Sequence, residues 1–369
     1  MRDPHIRTTR PALVLRAGRR AIEHIARNGL SPADVSVIPG AAGGAKALAL
    51  SALDKAIFGR WLPSAPRTRL LIGASIGSWR FACVAQRDPV EALTRFAEAY
   101  IEQRYSPKPG IDEITRTSEA MLEAIVAGHE GEIVAHPDYR LCILTARAMG
   151  WVASERRARL MLGLGAAASA NLVSRGYLRY FFERVICVDP RCEDDALFAL
   201  ADQPTRRVSL TERNLKPALF ASGAVPLIMR GVTDFPGAGE GTYRDGGMID
   251  YHLDLPFSRQ EGIALYPHFG SRVVPGWFDK TLPWRKASAS NLDNVLLIAP
   301  SPEYVAMLPY RKIPDRNDFK RFAGRDAVRI RYWRTAVAES ERLADEFMEL
   351  VENQRFAERM ELVEKQPFG

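Results

Sequence analysis

Apolar residues gather in short, nearly continuous runs, separated by longer stretches in which they recur every three or four positions. The runs Val35–Pro39, Arg69–Gly73, Leu141–Thr145, Arg184–Asp189 and Asn294–Ala299 predict strands covered on both faces, because a strand with one wet face alternates instead. Lys46–Phe58, Trp79–Gln86, Pro89–Arg104 and Asp112–Ala127 carry helical periodicity, several of them opening behind an Asp or Ser suited to capping. Leu210–Pro226 also reads as a helix, stopped by Gly223 and Pro226. Strands alternating with helices predict an α/β fold whose mainly parallel central sheet is flanked by helices in three layers. Asp326–Glu364 predicts a charged amphipathic helix or helix pair, a helical C-terminal extension. The Gly/Pro-rich stretches Gly231–Gly241 and Pro267–Pro283 are loops inside one domain, because strand-like residues continue beyond both. The expected division is a basic N-terminal arm or helix over 1–30, one large domain over 31–310 and the helical extension over 311–369.

The turns between these elements carry the chemistry. Gly73-Ala74-Ser75-Ile76-Gly77 is a GxSxG pentapeptide directly after one expected strand and directly before an expected helix. In that context a sharp turn lifts the serine hydroxyl above the sheet, and glycines are needed where flanking side chains would collide. Read without that chemistry, the same residues are a close approach of strand to helix with Ser75 as a cap. Upstream, Gly40-Ala41-Ala42-Gly43-Gly44-Ala45-Lys46 joins a strand to a helix through small residues, which lets backbone N–H groups face outward as an anion cradle. It satisfies neither GxGxxG nor GxxxxGK[ST], so an oxyanion hole is expected there and not a nucleotide site.

A serine hydroxyl needs a base. Of the six histidines, only His252 and His268 fall downstream in suitable loops. The alternative base is a carboxylate made more basic by burial, and Asp245, in Tyr243-Arg244-Asp245-Gly246-Gly247, is the best placed. Taken alone, Asp-Gly-Gly is a common turn.

Composition narrows the class further. The 369 residues are 47% apolar and 26% charged with a net charge of +7, which excludes disorder, collagen and a disulfide scaffold. Four cysteines without a CxxC pair are read as reduced thiols with no metal site. The N-terminal fifteen residues lack the apolar core of a secretion signal, and Leu160–Val173 is too short to span a bilayer, so a cytoplasmic location is expected. Residues 1–30 hold seven Arg against Asp3 and Glu23, which favours anionic partners. No helix-turn-helix, finger or RNP-like pattern accompanies them, so lipid head groups fit better than nucleic acid. Arg156–Phe182 has arginines flanking an apolar centre and then four aromatic residues. It suits either a hairpin that caps the site or touches an anionic membrane, or a buried helix with a basic end.

Taken in order, these motifs resemble the patatin-like phospholipase family from about Val35 to about Pro256. The Gly-rich loop resembles Ala42–Ala47, the nucleophile motif Gly73–Gly77, the family's Ala-Ser-x-Ala-x-Pro segment Ala221–Pro226, and the Asp-Gly-Gly motif begins at Asp245. The resemblance implies a Ser75–Asp245 dyad cleaving acyl esters of lipids, of phospholipase A or lysophospholipase type, with Gly43 and Gly44 forming the oxyanion hole. Lys46 would add electrostatic support, or is a solvated lysine of the first turn. No metal or cofactor is implied. Two features depart from the family pattern: Ala42 and Ala47 replace glycines, and the proline after Asp-Gly-Gly is delayed to Pro256, which brings His252 near the motif. A soluble esterase or thioesterase on the same scaffold, and a silent acyl-binding or scaffold protein, are the competing expectations.

Overall fold

In the computed structural model, which describes residues 11–363, the apolar runs pair into one eleven-stranded mixed sheet. Its strands are β1 (Leu13–Ala17), β2 (Val35–Gly40), β3 (Arg69–Ala74), β4 (Tyr139–Ala148), β5 (Phe182–Val188), β6 (Thr205–Ser209), β7 (Val232–Thr233), β8 (Thr242–Asp245), β9 (Ile263–Pro267), β10 (Val295–Pro300) and β11 (Met360–Leu362). The spatial order is β11-β1-β10-β9-β2-β3-β4-β5-β6, with β8 on β4 and β7 on β8. The centre, from β10 to β4, is parallel; β1 against β10 and β4 against β5 and β8 are antiparallel.

The central strands are buried on both sides. Along β3 and β4, Leu71, Leu141 and Ile143 join one apolar cluster while Leu70, Ile72, Cys142 and Leu144 join another, which is the period-two alternation of a strand between two layers. The first layer is helical, built from Ile76–Val84, Pro89–Ile101, Ile111–Val126 and Glu212–Gly223 with the C-terminal helices Asp326–Glu339 and Glu341–Glu352. The second face is closed largely by the irregular segments before and after β9, through Tyr251, Leu253, Leu255 and Phe257 on one side and Phe269 on the other.

Several elements differ from the sequence expectation. The helix expected over Lys46–Phe58 is broken into a 3-10 segment, Gly44–Leu50, a short α-helix, Ser51–Ala56, and a π turn, Ile57–Trp61. Its alanine-rich start lies buried among helices, against Ile76–Val84 and Asp326–Glu339, where small side chains permit the tighter winding. The first and last described elements both enter the sheet. Within 1–30, Leu13–Ala17 is a strand between β10 and β11, and Arg19–Asn28 is a helix. The tail forms two helices and then returns as β11 beside β1, where a helix to Glu364 was expected. Residues 1–10 and 364–369, which include the start of the expected N-terminal arm and the end of the expected extension, lie outside the described residues. Among the described residues no helix is long and apolar enough to cross a membrane.

Candidate active site

Ser75 and Asp245 meet because two strands end head-on against one edge of β4. Strand β3 runs parallel to β4 as far as the pair Ala74–Leu144, and β8 runs antiparallel to it from the other end as far as the pair Asp245–Thr145. Adjacent residues of one strand therefore fix the ends of two others, although Ser75 and Asp245 are 170 positions apart in sequence.

The turn that follows β3 is strained and heavily braced. Ser75 sits at φ 55°, ψ −130°, a backbone state costing a non-glycine residue about 1–3 kcal/mol. Its N–H donates to Ser222 Oγ at 2.8 Å, and Ser222 Oγ donates in turn to the Leu144 carbonyl at 2.6 Å. Ser78 Oγ donates to the Ser75 carbonyl at 2.7 Å. A Cβ on Gly77 would lie 2.1 Å from the Gly40 carbonyl oxygen, so the Ile76–Val84 helix approaches the β2 end as closely as backbone can. A Cβ on Gly246 would likewise lie 2.1 Å from the Leu144 carbonyl oxygen, which explains the glycine after Asp245.

Ser75 Oγ donates to Asp245 Oδ2 at 2.7 Å. The other carboxylate oxygen accepts the Gly247 N–H at 2.7 Å, and the Asp245 N–H donates to the Ala224 carbonyl at 3.0 Å. The segment Ala221–Pro226 thus ties the two strand ends together, through Ser222 to the serine turn and through Ala224 to β8. Burial raises the Asp245 carboxyl above the usual aspartate range; the Ser75 hydrogen bond, the Arg316 charge, the Gly247 N–H and Lys280 act in the opposite direction. Ser75 is 8% and Asp245 6% exposed as whole residues. His252 lies elsewhere: its Nδ1 faces the Val274 N–H at 3.0 Å and the Arg272 carbonyl at 3.1 Å, and its ring stacks on Tyr251. Burial and the neighbouring His268 hold His252 well below the usual imidazole range, so it is a neutral packing group.

The Gly-rich loop divides into two functions. The Ala42 N–H is consumed by the Tyr251 carbonyl at 2.8 Å. Gly43, at φ 175°, is ordinary extended backbone set against Phe269, and Gly44, at φ 59°, takes the left-handed state. Ala42 and Ala47 are not among the positive-φ residues, so both alanines stand where no left-handed backbone is required. Among the described residues no hydrogen bond uses the Gly43 or Gly44 N–H, and Gly44 shares the lining of one cavity with Ser75. Lys46 Nζ lies 4.9 Å from the centre of the Phe269 ring. Burial lowers Lys46, Asp315 opposes the shift, and Arg316 and Lys312 reinforce it.

The cavity above Ser75 holds about 450 Å³. Its wall is mostly apolar, with Trp79, Ile114, Met121, Leu164, Met229 and Phe319. Arg316 and Lys320 also line it, and both come from the segment that precedes the C-terminal helices. Neither carries a motif in the sequence; the only signal was a cluster of basic residues between 311 and 325. Lys280 lies next to this lining, its Nζ 4.0 Å from the centre of the Tyr251 ring, and a Cβ on Gly247 would stand 3.4 Å from the edge of that ring.

Beside the cavity, Arg157–Val173 is one helix that buries Leu160, Gly163, Ala167 and Asn171. Its other face points to solvent, with Met161, Leu162 at 61% and Val173 at 75% exposed, and Tyr177 and Tyr180 follow. The segment is therefore neither a hairpin nor a buried helix. When the chain is compared with known proteins, no family model and no curated protein matches it.

Proposed function

We propose that this protein is a lipid acyl hydrolase of the patatin-like type, cleaving carboxylic esters through an acyl-enzyme on Ser75. The observation that carries the reading is the 2.7 Å hydrogen bond from Ser75 Oγ to a buried Asp245 carboxylate at the floor of an apolar cavity. In the reaction Asp245 Oδ2 takes the Ser75 proton as Oγ bonds to the acyl carbon. The resulting oxyanion is met by the unengaged N–H groups of Gly43 and Gly44. Collapse breaks the ester bond, and the leaving alkoxide takes the proton back from Asp245. Water then attacks the acyl-enzyme by the same route, releasing the carboxylic acid and restoring Ser75. The cavity volume falls in the range of ligand sites, and its apolar wall suits an acyl chain. Lys46, half-buried beside the loop, adds positive potential where the oxyanion develops.

The exposed apolar face of Arg157–Val173, with Arg156, Arg157 and Arg159 exposed at its start, supports peripheral contact with an anionic lipid surface near the cavity mouth. Ser75→Ala decides between hydrolase and silent acyl-binding protein. A hydrolase loses ester turnover and fluorophosphonate labelling together in that variant, with thermal unfolding unchanged. A wild-type protein that is neither labelled nor active returns the cavity to a binding role.

A further inference from the structure

Around the mouth of the Ser75 cavity the charges are unbalanced. Arg316 packs its stem against Gly44, with Cγ and Cδ 3.0 and 3.1 Å from where a Cβ would stand, and it lines the cavity with Ser75. Lys46 approaches from the other side of the Gly-rich loop over Phe269, and Lys280 lies over Tyr251, whose ring borders the turn after Asp245. Burial lowers Lys280 to about 8, with Arg316 and Lys46 adding to the shift and Asp245 opposing it, and burial lowers Lys46 too, with Asp315 opposing and Arg316 and Lys312 adding. Lys280 is exposed to solvent overall, but its ammonium rests back on the aromatic ring.

Elsewhere in the same region positive charge is neutralised. Lys312 Nζ lies 2.9 Å from Asp315 and 2.7 Å from Asp318. The ion pairs of the described residues include none to Lys46, Lys280, Arg316 or the cavity-lining Lys320; of the carboxylates nearby, Asp315 is paired with Lys312 and also acts on Lys46, and Asp245 accepts from the serine, so positive charge outnumbers negative here. Clustering like charges at a cleft costs stability, and it is compensated when an anion arrives to be shared. The aromatic faces of Tyr251 and Phe269, on the loop side of the mouth, are already covered by Lys280 and Lys46.

We propose that Lys46, Lys280 and Arg316 form an anion subsite that takes the terminal phosphate of a phosphomonoester-bearing acyl ester, and that the enzyme therefore prefers net-anionic head groups over zwitterionic or neutral ones. This rests on the acyl-hydrolase reading above. The bidentate guanidinium of Arg316, placed between the Gly-rich loop and the cavity, orients the phosphate, and the two ammonium groups supply point charge.

Three monoacyl substrates with one acyl chain test it: acyl glycerol phosphate, acyl glycerophosphocholine and acyl glycerol. Wild-type kcat/KM is expected to favour the phosphomonoester by on the order of tenfold or more over both others. Arg316→Gln and Lys280→Gln should shrink that ratio, with Arg316→Lys keeping part of it, each variant first shown to unfold at the wild-type temperature. Equal kcat/KM on all three esters in the wild type overturns the proposal while leaving the hydrolase intact. If no ester is turned over, it is the hydrolase reading that fails, and the subsite is then read from amine chemistry. Inorganic phosphate should slow the modification of Lys280 by trinitrobenzenesulfonate, followed by peptide mass mapping, and an unchanged modification rate overturns the subsite.

Discussion

The floor and the mouth of the cavity are built by opposite means. The floor is backbone: β3 and β8 end on adjacent residues of β4, two glycines let chain segments touch, and Ser222 Oγ and Ser78 Oγ lock the turn. The mouth is side chain: Lys46, Lys280 and Arg316 come from the 3-10 segment after the Gly-rich loop, an irregular segment and the stretch before the C-terminal helices. On the proposed hydrolase reading this division is functional: proton transfer, which tolerates little displacement, would fall to the sheet, and recognition of a charged group, which tolerates more, to long side chains. Changes at the floor should therefore alter rate or folding, and changes at the mouth should alter choice of substrate.

The largest effect expected at the floor is from Asp245→Asn. Without its base the Ser75 hydroxyl keeps its proton, and kcat should fall by about 10³–10⁴. Stability should move the other way. Burial raises the folded-state carboxyl above its unfolded value, so the stabilising contribution of this group is complete only below the unfolded value of 3.8 and is lost as pH rises through the folded one. At neutral pH the ionised carboxylate is a cost, and the variant should melt at or above the wild-type temperature. The same shift places the acid limb of the wild-type pH–rate profile above 3.8; Ser75, Gly247, Arg316 and Lys280 are the groups that restrain it. A melting temperature several degrees lower in the variant would mean that the carboxylate braces the fold and is not a buried functional charge.

Gly77→Ala is next, and its effect is on folding. The added methyl would stand 2.1 Å from the Gly40 carbonyl oxygen, backbone that cannot rotate away, so the Ile76–Val84 helix and the β2 end must separate. Overpacking of this kind costs about 1–3 kcal/mol, read as a lower urea midpoint. Activity should drop with it, because the Gly-rich loop that begins at Gly40 moves as well. An unchanged midpoint would show that the floor yields as readily as the mouth.

How much of this was legible follows the same division. The central strands announced themselves because residues covered on both faces must be apolar, and Ser75 and Asp245 because glycines mark where backbone crowds them. Strand β8 was hidden: Thr242-Tyr243-Arg244-Asp245 reads as polar, yet Arg244 is buried with its Nη2 2.8 Å from Glu155 Oε1. The antiparallel pairing of β4 with β5 was hidden too, since continuous apolar runs carry no direction. The single helix expected over Lys46–Phe58 is three helical pieces because its small residues permit more than one winding. Arg316 and Lys280 left no trace in spacing, because only the folded path of two irregular segments brings them to the serine.

The smallest expected effect lies outside both regions, on the exposed face of Arg157–Val173. Leu162→Ser with Val173→Ser removes apolar surface that already faces water, so unfolding free energy should stay within about 0.5 kcal/mol. If the face enters a lipid surface, the double variant should float less with anionic vesicles at low salt, and raising the salt should weaken the wild type as well, since Arg156, Arg157 and Arg159 supply the long-range attraction. Equal flotation of both proteins would assign vesicle contact to the cationic mouth alone, making one set of side chains responsible for both docking and head-group choice. Reduced flotation with head-group preference intact would separate the two, leaving the helix to find the surface and Arg316 to select from it.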